Sequence, residues 1–101
     1  MIAREWRCTC PFDKIDEFIP YLHRTGVDDA RSTPGFKGAE IFKREIGGSI
    51  EVVLITFWES VESVKAFAGE DIEKAVLYPE DYKYGIVSDL TVRHYIVTDR
   101  F

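Results

Sequence analysis

The chain is 101 residues long, 46% hydrophobic and 31% charged, with a net charge of −5. That length suits one domain, residues 1–101, with a core of its own, and the composition is that of a folded globular protein. The acidic balance argues against nucleic acid as a partner, since phosphate binding calls for clustered Lys and Arg and the densest basic group near a strand is Arg4 with Arg7. No apolar stretch reaches the roughly 18–20 residues of a membrane span and no signal-peptide core opens the chain, so no membrane contact and a cytoplasmic location are expected.

Ile2 to Cys10 alternates as a strand, with Ile2, Arg4, Trp6, Cys8 and Cys10 on one, mostly apolar face. Arg4 is the misfit on that face, beside Trp6. The two cysteines lie at i and i+2, roughly 7 Å apart in a strand and too far for an unstrained disulfide, so they are expected to be buried thiols.

Pro11 stops the strand. From Asp13 to Thr25, Ile15, Phe18, Ile19 and Leu22 recur at helical spacing, with Pro20 expected to kink the helix and Gly26 to cap it. Val27 to Thr33 reads as an irregular turn, and Pro34-Gly35 as a turn before the next strand.

Phe36 to Ile46 and Ser49 to Trp58 read as a hairpin joined by Gly47-Gly48, the second strand being more apolar and nearer the sheet centre. At Glu59-Ser60 the period changes. Val61, Val64, Phe67 and Ala68 then share a helical face, Gly69 closes that helix, and Asp71 is positioned to cap a further short helix ended by Pro79. Pro79 to Val87 is a polar and aromatic loop, and Asp89 to Asp99 is the last strand, with His94 between Val92 and Ile96.

The order β-α-β-β-α-β is the ferredoxin-like split arrangement: an α+β fold with a four-stranded antiparallel sheet and both helices on one face. Strand residues are apolar on both sides, so the open sheet face needs a cover, and a homodimer packing sheet to sheet is the simplest one.

The Phe57-Trp58-Glu59-Ser60 join, Ala66-Phe67-Ala68-Gly69-Glu70-Asp71, Tyr78-Pro79-Glu80-Asp81 and Val92-Arg93-His94-Tyr95 resemble the antibiotic biosynthesis monooxygenase (ABM) family of dimeric α/β-barrels. The resemblance spans essentially the whole chain. It implies a pocket in each subunit between sheet and helices, and oxygenation of a small aromatic or enolisable substrate with no metal, flavin or other cofactor, the substrate supplying the electrons. Haem-degrading relatives use an asparagine, a tryptophan and a histidine of the second helix region. This chain has no Asn or Gln and no histidine there, so chemistry of that type is not expected.

Within that frame His94 is the candidate catalytic base, since a neutral imidazole can take a proton from an acidic phenol or enol near neutral pH. The alternative is a core histidine whose nitrogens bond a neighbour. Arg4 could hold a phenolate or enolate and Trp6 a flat ring, or Trp6 could be core and Arg4 paired with a surface acid. Trp58 and Phe67 read first as core residues, and second as candidate walls of a planar-ligand pocket. Tyr78, Asp81 and Tyr82 form the candidate lid, or a rigid cap. The adjacent acids Glu70-Asp71 and Glu80-Asp81 read as helix caps rather than metal ligands. A non-catalytic small-molecule-binding or stress-associated dimer, and a scaffold with a filled interior, are the competing functions.

Overall fold

The computed structural model covers residues 1–101. Strand β1 (Ile2–Pro11) is central, paired antiparallel with β3 (Ser49–Trp58) along its whole length, from Ile2 opposite Trp58 to Pro11 opposite Ser49. Strand β2 (Phe36–Ile46) flanks β3. The other side of β1 carries two short strands, β4 (Val87–Ser88) and β5 (Arg93–Ile96). The fold is α+β and ferredoxin-like, with one strand broken in two so that five strands make the sheet.

The alternation along β1 is realised in full. Ile2, Arg4, Trp6, Cys8 and Cys10 are buried on the helix side, opposite Ile50, Val52, Leu54, Thr56 and Trp58 of β3. Burying one such large apolar side chain contributes about 1.5–3 kcal/mol, which sets the register: a one-residue slip would turn both rows to the other face. The cysteines are free thiols, each 1% exposed, and burial pushes the Cys8 thiol up to about 12. The β2–β3 turn is Gly47-Gly48, with φ of 52° and 85°, the left-handed pair that a two-residue hairpin requires.

After a short 3₁₀ turn, α1 (Ile15–Leu22) buries Ile15, Phe18, Tyr21 and Leu22 against the sheet. Three differences from the sequence reading follow here. Gly26 does not end the helix. The chain widens just after Pro20 into a π-helical turn, His23–Val27, and continues as α2 (Asp28–Arg31), where an irregular turn was expected. Gly26 is buried within this run because its backbone lies close to Leu22 and Leu54, with only about one carbon's room beside it.

Helix α3 (Val61–Ala68) starts where the period changes, with the Ser60 hydroxyl accepting from Ser63 N–H at 3.2 Å, and buries Val64 against Trp58 and Ala30. No helix follows it. Residues 69–86 cross the helix side of the sheet as a strap, mostly irregular, with one 3₁₀ turn at Asp81–Tyr84. The strap's backbone groups are claimed from outside it. Ala75 N–H donates to Leu90 carbonyl at 2.9 Å and Val92 N–H to Glu73 carbonyl at 2.8 Å, so extended pairing displaces the helix that Asp71 would have capped.

The same pairing breaks the last strand. Between Cys8–Ser88 and Glu5–Arg93, two residues of β1 face four of the partner strand, the extra ones bulging toward the strap.

The opposite sheet face carries no helix. Ala3, Val53, Ile55 and Phe57 are half-buried there and Phe42 and Tyr95 exposed. Across it runs a line of alternating charge, Arg93–Glu5–Arg7–Glu51–Arg44, with successive ion pairs of 3.3, 3.5, 3.8 and 2.9 Å.

Candidate functional site

A cavity of about 40 Å³ lies between the sheet, the first helical run and the strap. β1 supplies Arg4 and Trp6, because their alternation turns them toward the helices. α1 and the π-turn supply Phe18, Tyr21 and Thr25, α3 supplies Phe67, and the strap supplies Tyr78 and Asp81. Its wall is mainly apolar and aromatic, with few polar groups, the lining typical of small-molecule sites, but its volume is far below the several hundred Å³ typical of them.

Arg4 is the unusual member. It is 3% exposed, yet no carboxylate pairs with it; the ion pairs of this chain involve Arg7, Arg31, Arg44, Lys65, Lys83 and Arg93. Its Nη1 donates to the Ile72 carbonyl at 2.5 Å and to His94 Nε2 at 3.0 Å, and its Nη2 donates to the Lys74 carbonyl at 3.0 Å. The guanidinium also lies 5.8 Å from the centre of the Phe67 ring. Burial without a counter-charge lowers the Arg4 pKa to about 10.

His94 does not line the cavity. It is half-buried on β5 opposite Arg4. A guanidinium can only donate, so Nε2 is the acceptor and the imidazole is neutral with its proton on Nδ1. Burial first, and the Arg4 charge second, hold the His94 pKa below its usual value, with Glu73 opposing. The ring positions expected of a free base in the pocket are thus occupied by another task.

Trp6 lines the cavity with its indole N–H satisfied by Ser88 Oγ at 2.8 Å. Trp58 does not line it. It is fully buried behind Phe67, stacked at 5.3 Å and 29° between planes, with its N–H on Thr56 Oγ1 at 2.8 Å. Tyr82 also lies off the cavity, 75% exposed on the outer side of the strap. Tyr78 and Asp81 do meet it, and both fasten the strap: Asp81 accepts from Tyr21 O–H at 2.7 Å and from Tyr78 N–H at 2.9 Å, while Tyr78 O–H donates to Asp29 at 2.6 Å. Burial, then these carboxylates, raise the pKa of both phenols.

Phe18, Tyr21, Thr25 and Thr56 were not singled out from the sequence. Tyr21 and Thr25 were detectable in principle, since they extend the Phe18–Leu22 stripe at i+3 and i+4 and add polar atoms to it. No group of three or more His, Cys, Asp and Glu residues has the geometry of a metal site.

No protein-family profile matches the sequence, and no curated protein matches it. Solved structures do. A dimeric ferredoxin-like protein from an uncultured marine organism matches with a TM-score of 0.67 at 16% identity, over 100% of this chain and 98% of that one. A MhuD variant with two manganese protoporphyrin IX molecules bound per active site matches with a TM-score of 0.66 at 17% identity, again over 100% and 98%. A Bacillus cereus protein assigned to the antibiotic biosynthesis monooxygenases matches at 0.61 and 17%, over 99% and 95%. The chain shares the ferredoxin-like α+β fold of these structures. At these identities the likeness is one of architecture, and one architecture hosts many chemistries. In this chain the site must therefore be argued from its own residues, above all from the buried cation with no carboxylate partner.

Proposed function

We propose that the Arg4 cavity binds a small aromatic or enolisable molecule and stabilises its anion, as in a cofactor-independent oxygenase or a related proton-transfer enzyme. The observation that carries this reading is Arg4 itself, a guanidinium 3% exposed with no carboxylate against an aromatic wall. An uncompensated buried charge is costly, and a fixed donor array facing a developing anion is the arrangement that stabilises it. Trp6 and Phe67 would hold a flat ring, and Tyr78 with Asp81 would cover it. An enolisable CH₂ oxidised to C=O consumes one O₂ and releases one water, so no external reductant enters the balance. The bond between His94 and Arg4 favours a positioning role for His94 over direct proton removal. At about 40 Å³ the closed cavity has room for only a few waters, so an aromatic ring, and still more a porphyrin, would enter only with the strap moved aside.

A second reading, non-catalytic binding, is favoured by one specific observation: the acceptor atoms of His94 Nε2 and Asp81 are already hydrogen-bonded. Oxygen uptake with a panel of dihydroxyaromatics and quinols separates the two, run alongside thermal shifts of the same mixtures. Uptake above that of Arg4→Met supports the enzyme. Thermal shifts without uptake leave binding alone, and neither response to any compound refutes both.

The open sheet face, with its half-buried apolar residues, supports pairing with a second copy of the chain. A sedimentation mass near 11.7 kDa at micromolar concentration would refute that.

A further inference from the structure

We infer that the closed cavity holds a small monovalent anion of halide size, seated on the free N–H groups of Arg4 and the hydroxyl of Thr56. This goes beyond the proposed function: it concerns what occupies the cavity while the strap is in place, whether or not a larger molecule enters when the strap moves.

Two observations meet here. The first is a cluster of donors. A guanidinium has five N–H groups. Ile72, His94 and Lys74 take three, which leaves the Nε–H and one Nη2–H of Arg4 without an acceptor in the chain. Arg7 Nε is the one sealed side-chain atom that lacks a partner, so Arg4 Nε borders open space, and Arg4 lines the cavity. Thr56 stands opposite Arg4 in the β1–β3 register and lines the same cavity. Its oxygen accepts from Trp58 Nε1 at 2.8 Å, and its own proton has no acceptor. Tyr, Trp and Cys apart, Arg4 and Thr56 are the only buried polar residues of the chain, each 3% exposed. Two buried polar residues on paired strands thus bring three unclaimed donors to one cavity.

The second observation is the match of size and charge. The cavity, about 40 Å³, has room for a few waters, and so for a monatomic anion with a water beside it. Waters alone would satisfy the donors, but they bring protons of their own to a mainly apolar wall, and no charge. An anion only accepts, and it supplies the counter-charge that Arg4 lacks. Asp81, also on the wall, does not supply it. No ion pair joins it to Arg4, and its oxygens take Tyr21 O–H and Tyr78 N–H. Its remaining lone pairs suit the protons of the water beside the anion. One negative charge balances one guanidinium, so the ion is monovalent.

The test uses bromide as the probe on the intact protein. Crystals soaked in sodium bromide should show a bromine anomalous peak inside the cavity, in contact with Arg4 and Thr56. In solution, about 0.2 M sodium bromide should raise the melting temperature by at least about 3 °C more than sodium gluconate at equal ionic strength, gluconate being too large for the cavity. Thr56→Val keeps the shape and loses the hydroxyl. It also strands the Trp58 N–H, so the salt increment is compared within each protein, and it should fall by at least half. If that variant does not fold, crystals of the native protein decide alone. A water where bromide is expected, or bromide confined to the surface, overturns the inference. So does a salt increment that Thr56→Val leaves intact, since the ion is then seated elsewhere. The proposed function fails separately: a bromide peak in the cavity with no response to any aromatic compound leaves this inference standing and removes that reading.

Discussion

The strap is fastened to the first helical run by the Tyr21 hydroxyl, and Tyr21→Phe removes that bond with little else. The ring is 4% exposed and stacks on Tyr84 at 4.4 Å, contacts that phenylalanine keeps. What is lost is a 2.7 Å bond from a neutral donor to the Asp81 carboxylate. Bonds to charged groups contribute about 1.5–3 kcal/mol. Asp81 is half-buried, so water can partly replace the hydroxyl, and the lower end, about 1.5 kcal/mol, is the expected loss. At about 4–8 °C per kcal/mol for a domain of this size, the melting temperature should fall by about 6–12 °C. Native-state hydrogen exchange gives the location. The Tyr78, Lys83 and Gly85 amides, which bond Asp81, Glu80 and Tyr82, should exchange about tenfold faster, while Val52 and Leu54 amides follow only the global change. A fall below about 2 °C, with strap amides unchanged, would refute the latch.

Three further outcomes follow from the same coordinates. A Cβ added at Gly35, where φ is +93°, would overlap Ser63 Oγ and lie 2.6 Å from Ser63 Cβ, so Gly35→Ala should cost at least about 2 kcal/mol in urea unfolding. Ser60→Ala removes the cap of α3 and should cost about 1 kcal/mol, again read from urea midpoints. His94 is held neutral in the fold, its pKa below the usual 6.5, so the unfolded chain binds the proton more readily. Stability from this group is therefore complete above about pH 6.5 and is lost on acidification through the lower folded value. A His94→Gln variant, still able to accept from Arg4, should show a flatter stability profile below pH 6.5, and an identical profile would contradict the assignment.

The parts of the fold legible in the sequence are those decided by local period. The row from Ile2 to Cys10, the Gly47-Gly48 hairpin and the change of period at Ser60 each carry their own signal. The misplaced Arg4 in that first row also pointed to the site. The parts not legible are those decided by partners far away in sequence. Asp71 to Tyr78 has helix-forming residues, but Arg4 takes the carbonyls of Ile72 and Lys74, and the segment before β5 takes the groups of Glu73 and Ala75. The same exchange broke the last strand. His94 looked like a free base because alternation placed it on the inner face, and alternation carries no information that Arg4 stands between it and the cavity. Tyr21 was passed over because one hydroxyl in an apolar stripe is silent until its acceptor, sixty residues on, is known.

Arg4 holds the strap by main-chain oxygens, and that choice separates the path of the strap from its sequence. A side-chain contact would tie the position of residues 72–74 to what those residues are. Carbonyl contacts do not, because every residue type offers the same oxygen. Val76, a few residues further along, faces the cavity. It can therefore be exchanged to reshape the cavity wall while the backbone carrying it stays anchored to β1. The charge in the cavity and this part of its wall are borne on separate segments, and each can change without the other.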